Sequence, residues 1–269
     1  QAGLTYIYPV LSRRAGGVSI GINLNLNRAC NWNCVYCQVE GLKRGKPDSI
    51  RIELLTSELR GFLREALSGD YLARHVKETE FRKLADIAFS GDGEPTTSAE
   101  FVEVVTKVVA LMREFGLIGR LPLRLITNGS MAERKQTREG MKILASAGGE
   151  VWFKIDRGDA VGILAVNRTR LQPETVLRRL KFCAENAPVW VQTCWFADHG
   201  HEPDRAAKEN YLALLSKAAG FVQGVHLYGL ARPPRPDEAA GLTRLSPEIL
   251  AAWGEEITSK TGVKVLSSP

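Results

Sequence analysis

Val18-Ser19-Ile20-Gly21-Ile22-Asn23-Leu24-Asn25-Leu26 leads, three residues later, into Cys30-Asn31-Trp32-Asn33-Cys34-Val35-Tyr36-Cys37. In the first segment apolar residues alternate strictly with Ser, Gly and Asn, which is the period of a strand with two unlike faces. A strand over 18–26 therefore feeds a short loop bearing three thiols, close enough to wrap one compact inorganic centre. A 4Fe-4S cluster has four irons, so three thiolates leave one iron open to a ligand, and no fourth cysteine lies nearby to close it. A zinc site would need a histidine beside the three thiolates. His75, His199, His201 and His226 are all remote in sequence, which favours the iron-sulfur reading and leaves zinc as the alternative.

Working outward, Leu55, Leu59, Phe62, Leu63 and Ala66 recur at helical spacing, and Ser68-Gly69-Asp70 closes that helix. Short segments rich in β-branched or aromatic residues follow at 84–90, 123–127, 151–155, 189–194 and 225–230, each separated by a helical stretch. Thr97 with Glu100 reads as a capping box for the helix through Phe101, Val104, Val105, Val108 and Met112. Ser246-Pro247 reads as the cap and first turn of the last helix. Six strands alternating with helices predict an α/β fold, a partial (β/α)6 TIM-like barrel of parallel strands with outer helices. Residues 1–269 are expected to form a single domain, with a short N-terminal extension over 1–17 before the first barrel strand; no Gly/Ser-rich linker or composition break divides them. Chemistry on such a barrel belongs after the strand C-termini.

Composition narrows the class. The chain has 269 residues, 44% hydrophobic and 25% charged, with no apolar run of the length a membrane span needs. Its opening residues lack the charged and apolar regions of a secretory signal. Five cysteines, three of them clustered, point to a metal site in a reducing compartment rather than a disulfide framework, so a cytoplasmic location is expected. A formal charge of +6 suits an anionic partner such as a nucleotide, a phosphate ester or RNA, and equally suits mere solubility.

Several strand ends carry candidate site residues. Ser90-Gly91-Asp92-Gly93-Glu94-Pro95-Thr96 follows the second strand, and its glycines allow backbone to approach a ligand closely. Thr127-Asn128-Gly129 and Phe153-Lys154-Ile155-Asp156 end the next two, and alternation puts Lys154 and Asp156 on one face. Gln192 and Cys194, then His226, Tyr228 and Arg232, end the last two; Cys194, His226 and Tyr228 are catalytic candidates, and Gln192 and Arg232 substrate candidates. Cys183 lies on a helical face and is expected in the core. Basic residues at Arg13-Arg14, at Lys43-Arg44-Gly45-Lys46 and at Arg232 with Arg235 would suit an anionic substrate, with Arg13 and Arg14 as further candidates to contact it.

The spacing of Cys30, Cys34 and Cys37, with aromatic Tyr36 before the last, resembles the signature of the radical S-adenosylmethionine (SAM) superfamily. The resemblance implies one 4Fe-4S cluster on these three cysteines. It further implies SAM chelating the open iron through its amino and carboxylate groups, and one-electron cleavage to methionine and a 5'-deoxyadenosyl radical. It implies a cofactor pocket drawing on Tyr36, Asp92, Gly93, Glu94, Pro95, Asn128, Lys154 and Asp156. Within it the Asp92-Gly93-Glu94-Pro95 segment would meet the cofactor's amino group, and Lys154 and Asp156 its carboxylate and ribose. A flavodoxin- or ferredoxin-like electron donor is implied as well. Tyr8-Pro9-Val10-Leu11-Ser12-Arg13-Arg14, Ser19-Ile20-Gly21-Ile22-Asn23-Leu24 and Lys154-Ile155-Asp156 are similar to the wyosine-base-formation type of these enzymes. That type uses a second cluster on extra N-terminal cysteines, whereas none precedes Cys30 here.

Three functions follow as expectations. The first is radical abstraction of hydrogen from a nucleotide-like or other small anionic substrate. The second is activation of a glycyl radical on a partner protein. The third is a non-catalytic zinc or iron-sulfur binding module.

Overall fold

Along each strand the alternating residue types become the two faces of one curled sheet. The structure, a computed structural model, describes residues 3–12, 15–230, 232 and 239–268. Arg13, Arg14 and Arg235 lie outside the described residues. In chain order the main elements are β1 (Ile7–Ser12), β2 (Gly17–Ile22), α1 (Ile52–Ser68), β3 (Leu84–Phe89), α2 (Phe101–Glu114), β4 (Leu123–Thr127) and α3 (Lys135–Ser146). There follow β5 (Glu150–Lys154), α4 (Ala160–Asn167), α5 (Pro173–Ala184), β6 (Val189–Cys194), α6 (Arg205–Ala218), β7 (Gly224–Tyr228), α7 (Pro247–Thr261) and β8 (Val265–Ser268). The eight strands pair in sequence order, β1 antiparallel to β2 and every later neighbour parallel. This is a mostly parallel half-barrel, the architecture that the β/α alternation predicts.

One face of the sheet is apolar. Ile20, Ile22, Ile87, Phe89, Leu125, Val151, Phe153, Val191 and Leu227 join a single buried core with the inward stripes of the helices, among them Leu55 and Leu59 of α1 and Val105 of α2. The other face, which lines the barrel, is polar and aromatic. At its lower end Asp86 accepts hydrogen bonds from Ser19 and Arg124, and Arg124 also reaches Glu150 at 3.1 Å. The Arg124 guanidinium lies 4.4 Å from the Trp152 ring, and the His226 ring packs at a tilt against Trp152 and Trp190 with centroids 4.2 and 4.6 Å apart. These side chains pack the floor, and the cavity described below lies towards the strand C-termini.

The six predicted strands are present, and two more flank them. The N-terminal extension contains β1, whose Tyr8 ring covers Gly21 on the barrel face, where a Cβ would stand 2.1 Å from the ring. Strand β8 adds to β7 at the other edge. The first strand ends at Ile22 rather than Leu26, because the Asn23 side chain accepts from Asn25 N at 2.9 Å and the Asn25 carbonyl from Arg28 N, turning the chain out of the sheet. Thr97 is not the cap of α2: its hydroxyl donates to the Glu94 carbonyl within a 3₁₀ turn, and α2 starts at Phe101. Ser98 and Glu100 instead make the reciprocal pair, with Ser98 Oγ donating to Glu100 Oε2 and accepting from Glu100 N. Ser246 does cap α7, accepting from Ile249 N at 3.3 Å with Pro247 first in the helix.

The glycines provide a check on this packing. Gly21→Ala forces Tyr8 from its seat and is expected to cost about 1–3 kcal/mol in urea unfolding. Gly61→Ala, at an exposed α1 position with open space around it, is expected to stabilise by about 0.5–1 kcal/mol.

Candidate active site

The loop after β2 brings Cys30, Cys34 and Cys37 to the mouth of the half-barrel, all three with free thiols. They line a cavity of about 310 Å³ together with Trp32, Tyr36, Gly93, Glu94, Asn128, Lys154, Cys194 and Tyr228. Among the described residues no three His, Cys, Asp or Glu side chains are placed to hold a single metal ion. The thiols therefore border a space rather than converge on a point, and no described histidine lines it. Each sulfur accepts one N–H: Cys30 from Trp32 N at 3.5 Å, Cys37 from Val39 N at 3.5 Å, and Cys34 from Asn167 Nδ2 at 3.4 Å. Three soft donors on one loop, each with an N–H directed at it, fit an iron-sulfur cluster. Burial pushes the Cys34 thiol up to about 12, so a bound metal would displace its proton.

The cavity wall is built from strand ends. Glu94, after β3, is buried and spans to β4: Oε1 accepts from Thr96 N, Thr96 Oγ1 and Thr127 Oγ1, and Oε2 from Asn128 N at 2.6 Å. Burial raises its carboxyl above the usual range, while the Asn128, Thr127 and Thr96 donors oppose that shift. With three of its four bonds on Oε1, Oε2 retains acceptor capacity for a ligand's amino group. Gly93 runs so close to the cysteine loop that a Cβ would stand 2.3 Å from the Ala29 carbonyl. Asn128 Nδ2 donates to Asn31 Oδ1 at 2.9 Å, and Asn31 Nδ2 to Ser130 Oγ at 2.6 Å, which pins the loop beside Cys30.

On the opposite wall Lys154 Nζ donates to Tyr36 Oη at 2.9 Å, and Tyr36 Oη donates to Asp156 Oδ2 at 2.5 Å. Burial works against the Lys154 charge, while nearby Tyr228 and Asp156 act in its favour, and the balance lies above the ordinary lysine value. A half-buried cation at a cavity wall is a binding group for a carboxylate. Burial, with Asp156 nearby, pushes the Cys194 thiol well above its ordinary value.

Several expected site residues stand elsewhere. Asp156 does not line the cavity; its oxygens are taken by Tyr36, by Asn167 Nδ2 at 2.7 Å and by Cys194 N at 2.9 Å, so it braces the wall from behind. Pro95 is buried at the start of its 3₁₀ turn. Asp92 is drawn aside by Asn23, whose Nδ2 donates to Asp92 Oδ2 at 2.8 Å, and it faces a second cavity. That cavity, about 520 Å³, is lined by β1 residues including Tyr8, by Asp92 and by Arg232, and it shares Gln38, Val39 and Gly91 with the first. His226 belongs to the aromatic floor, and buried Gln192 lies in register between Lys154 and His226 without reaching the cavity. Neither Tyr8 nor Asn167 is singled out by the sequence as a site residue. Both are brought to it by pairing and helix docking over long chain separations.

Residues 24–194, well over half of the chain, match the Radical SAM superfamily, and the chain belongs to that family. It is therefore an enzyme of the class whose cofactors are SAM and a 4Fe-4S cluster. Among curated proteins it is 32% identical over 164 residues to a UPF0026 protein of Methanocaldococcus jannaschii, covering 60% of this chain and 43% of that protein. It is 29% identical over 135 residues to a protein of Brachyspira hyodysenteriae named GTPase Obg, covering 50% of this chain and 17% of that protein. The chain thus spans less than half the length of these relatives. In fold it is similar to SuiB of Streptococcus suis bound to S-adenosylmethionine, with TM-score 0.57 and 11% identity over 95% of this chain and 48% of that one. The structure of histidine-tagged anSMEcpe with bound AdoMet gives TM-score 0.52 and 17% identity over 92% and 63%.

Two outcomes test this site. Glu94→Ala leaves the Asn128 amide and the Thr96 and Thr127 donors without their acceptor, and is expected to destabilise the chain by about 3 kcal/mol or more in denaturant unfolding. Burial holds the Tyr8 phenol at about 12 against an ordinary 10.0, with the Ser90 hydrogen bond opposing and Asp92 and Asp86 adding to the shift. The folded chain thus keeps the proton longer than the unfolded one. The associated stability is complete below pH about 10 and falls as pH rises towards about 12. Tyr8→Phe should flatten that decline in melting experiments across the same range.

Proposed function

We propose that this chain holds a 4Fe-4S cluster on Cys30, Cys34 and Cys37, binds SAM in the adjoining cavity, and takes hydrogen from a small anionic, nucleotide-like substrate. The observation that supports this reading is a pair of adjacent cavities: one lined by the three thiols and Lys154, the other by Tyr8, Asp92 and Arg232, with Gln38, Val39 and Gly91 lining both. When bound, the cluster and SAM supply one-electron cleavage of the sulfonium S–C5' bond, giving methionine and a 5'-deoxyadenosyl radical that becomes 5'-deoxyadenosine on taking hydrogen from a substrate C–H. The electron would come from a flavodoxin- or ferredoxin-like donor.

The roles of the chain's own residues follow from where they stand. Lys154 would meet the carboxylate of SAM, Glu94 Oε2 its amino group, and Gly93 would let the backbone come close. Tyr36, held between Lys154 and Asp156, supplies an aromatic face beside the cluster. In the second cavity Arg232 offers a cation to a phosphate or carboxylate, while Tyr8, Asn23 and Asp92 offer hydrogen-bonding groups to hydroxyls or ring nitrogens. No helix among the described residues is long and apolar enough to cross a membrane.

Anaerobic reconstitution with deuterium-labelled nucleotides and other small anions should pass label into 5'-deoxyadenosine, and Arg232→Gln should raise KM about tenfold with kcat little changed. SAM cleavage without label transfer from any such compound would overturn the substrate class. A radical appearing on a partner protein would favour a glycyl-radical activating role instead.

A further inference from the structure

Two of the three cluster cysteines receive their N–H from the loop's own backbone, two residues further on. Cys34 does not. Its N–H comes from the side chain of Asn167, at the end of α4 and 133 positions away, buried at 2% exposure. The same amide nitrogen donates to Asp156 Oδ2 at 2.7 Å. Both neighbours are acceptors, a carboxylate and a sulfur, so chemistry requires the amide's NH₂ rather than its oxygen to face them. One proton serves each.

The backbone around Asn167 is fastened to the cluster loop as well. Val35 N donates to the Val166 carbonyl at 2.9 Å and Asn33 N to the Asn167 carbonyl at 3.4 Å. Arg44 donates to the Arg168 carbonyl, and Arg168 closes the helix in a left-handed conformation at φ 52°. The amide is therefore fixed on both sides and has no freedom to turn away from Cys34. Beyond Asp156 the hydrogen bonds continue through Tyr36 to Lys154 at the cavity wall.

We infer that Asn167 is a positioning residue that sets the reduction potential of the cluster and links it, through Asp156 and Tyr36, to the occupant of the SAM cavity. This rests on the cluster placement proposed above. Reduction adds negative charge that is shared by the cluster sulfurs, so an N–H aimed at one of them stabilises the reduced form more than the oxidised form. Its loss makes the cluster harder to reduce. A ligand carboxylate on Lys154 alters the bond from Lys154 to Tyr36, hence the charge Asp156 presents to the Asn167 amide.

The test is an EPR-monitored redox titration of reconstituted wild-type, Asn167→Ala and Asn167→Asp proteins, each with and without SAM, read per loaded cluster. Both variants should show a more negative midpoint, with the reduced-to-oxidised ratio at a fixed potential lowered roughly tenfold, about 59 mV for one electron. The shift on adding SAM should be smaller than in wild type. A midpoint unchanged in a loaded Asn167→Ala protein overturns the inference, as does an unaltered SAM response. If neither variant accepts a cluster, Asn167 serves assembly and the tuning role is wrong. Absence of a cluster from wild-type protein would instead overturn the placement on Cys30, Cys34 and Cys37, which keeps the two failures distinct.

Discussion

A loop that carries three thiols has to be held from outside, because its own residues cannot fix where the sulfurs face. Here the restraint comes from the strand ends on one side and a helix end on the other. Asn128 and Ser130, after β4, hold Asn31; Gly93, after β3, presses its backbone against Ala29; the last carbonyls of α4 accept from Asn33 and Val35. Backbone groups that would otherwise be left unpaired at the mouth of the barrel are satisfied by this docking. The cavity exists because those contacts stop the loop from collapsing into it.

Buried charge is the second organising feature. Glu94 and Asp156 occupy similar places, just past the ends of β3 and β5, yet they do different work. Glu94 ties β3 to β4 while keeping one oxygen partly open to the cavity. Asp156 is fully committed to Tyr36, Asn167 and the Cys194 amide, and so turns a flexible strand end into a rigid wall. Each carboxylate is surrounded by donors, the condition under which a buried charge is tolerated. Lys154 sits between these demands, cationic and linked to Asp156 only through the Tyr36 hydroxyl.

The barrel floor explains why the chemistry is confined to one end. Arg124, bridged to Asp86 and Glu150 and lying against Trp152, together with His226 between two tryptophans, packs the barrel below the cavity. A His on an inward strand position can thus be a packing element, held by tilted ring contacts, two residues away from a cavity-lining Tyr228.

The sequence by itself determined the β/α order, the six inner strands, the thiol loop after the first of them and the strand-end positions of Glu94, Asn128 and Lys154. These depend on local period and on the covalent spacing of three cysteines, which no tertiary arrangement can alter. What only the tertiary structure decided was which side chains meet. Tyr8 reaches the barrel because β1 pairs antiparallel with β2 over a glycine, and Asp92 stands apart from the thiol-lined cavity because Asn23 binds it. Asp156 meets Asn167 and the Cys194 amide, and Asn167 reaches Cys34 across 133 residues. Hydrogen bonds between groups so far apart in the chain have no period or spacing to announce them; they form only when the folded sheet closes the distance and burial leaves polar atoms to find their partners within the protein.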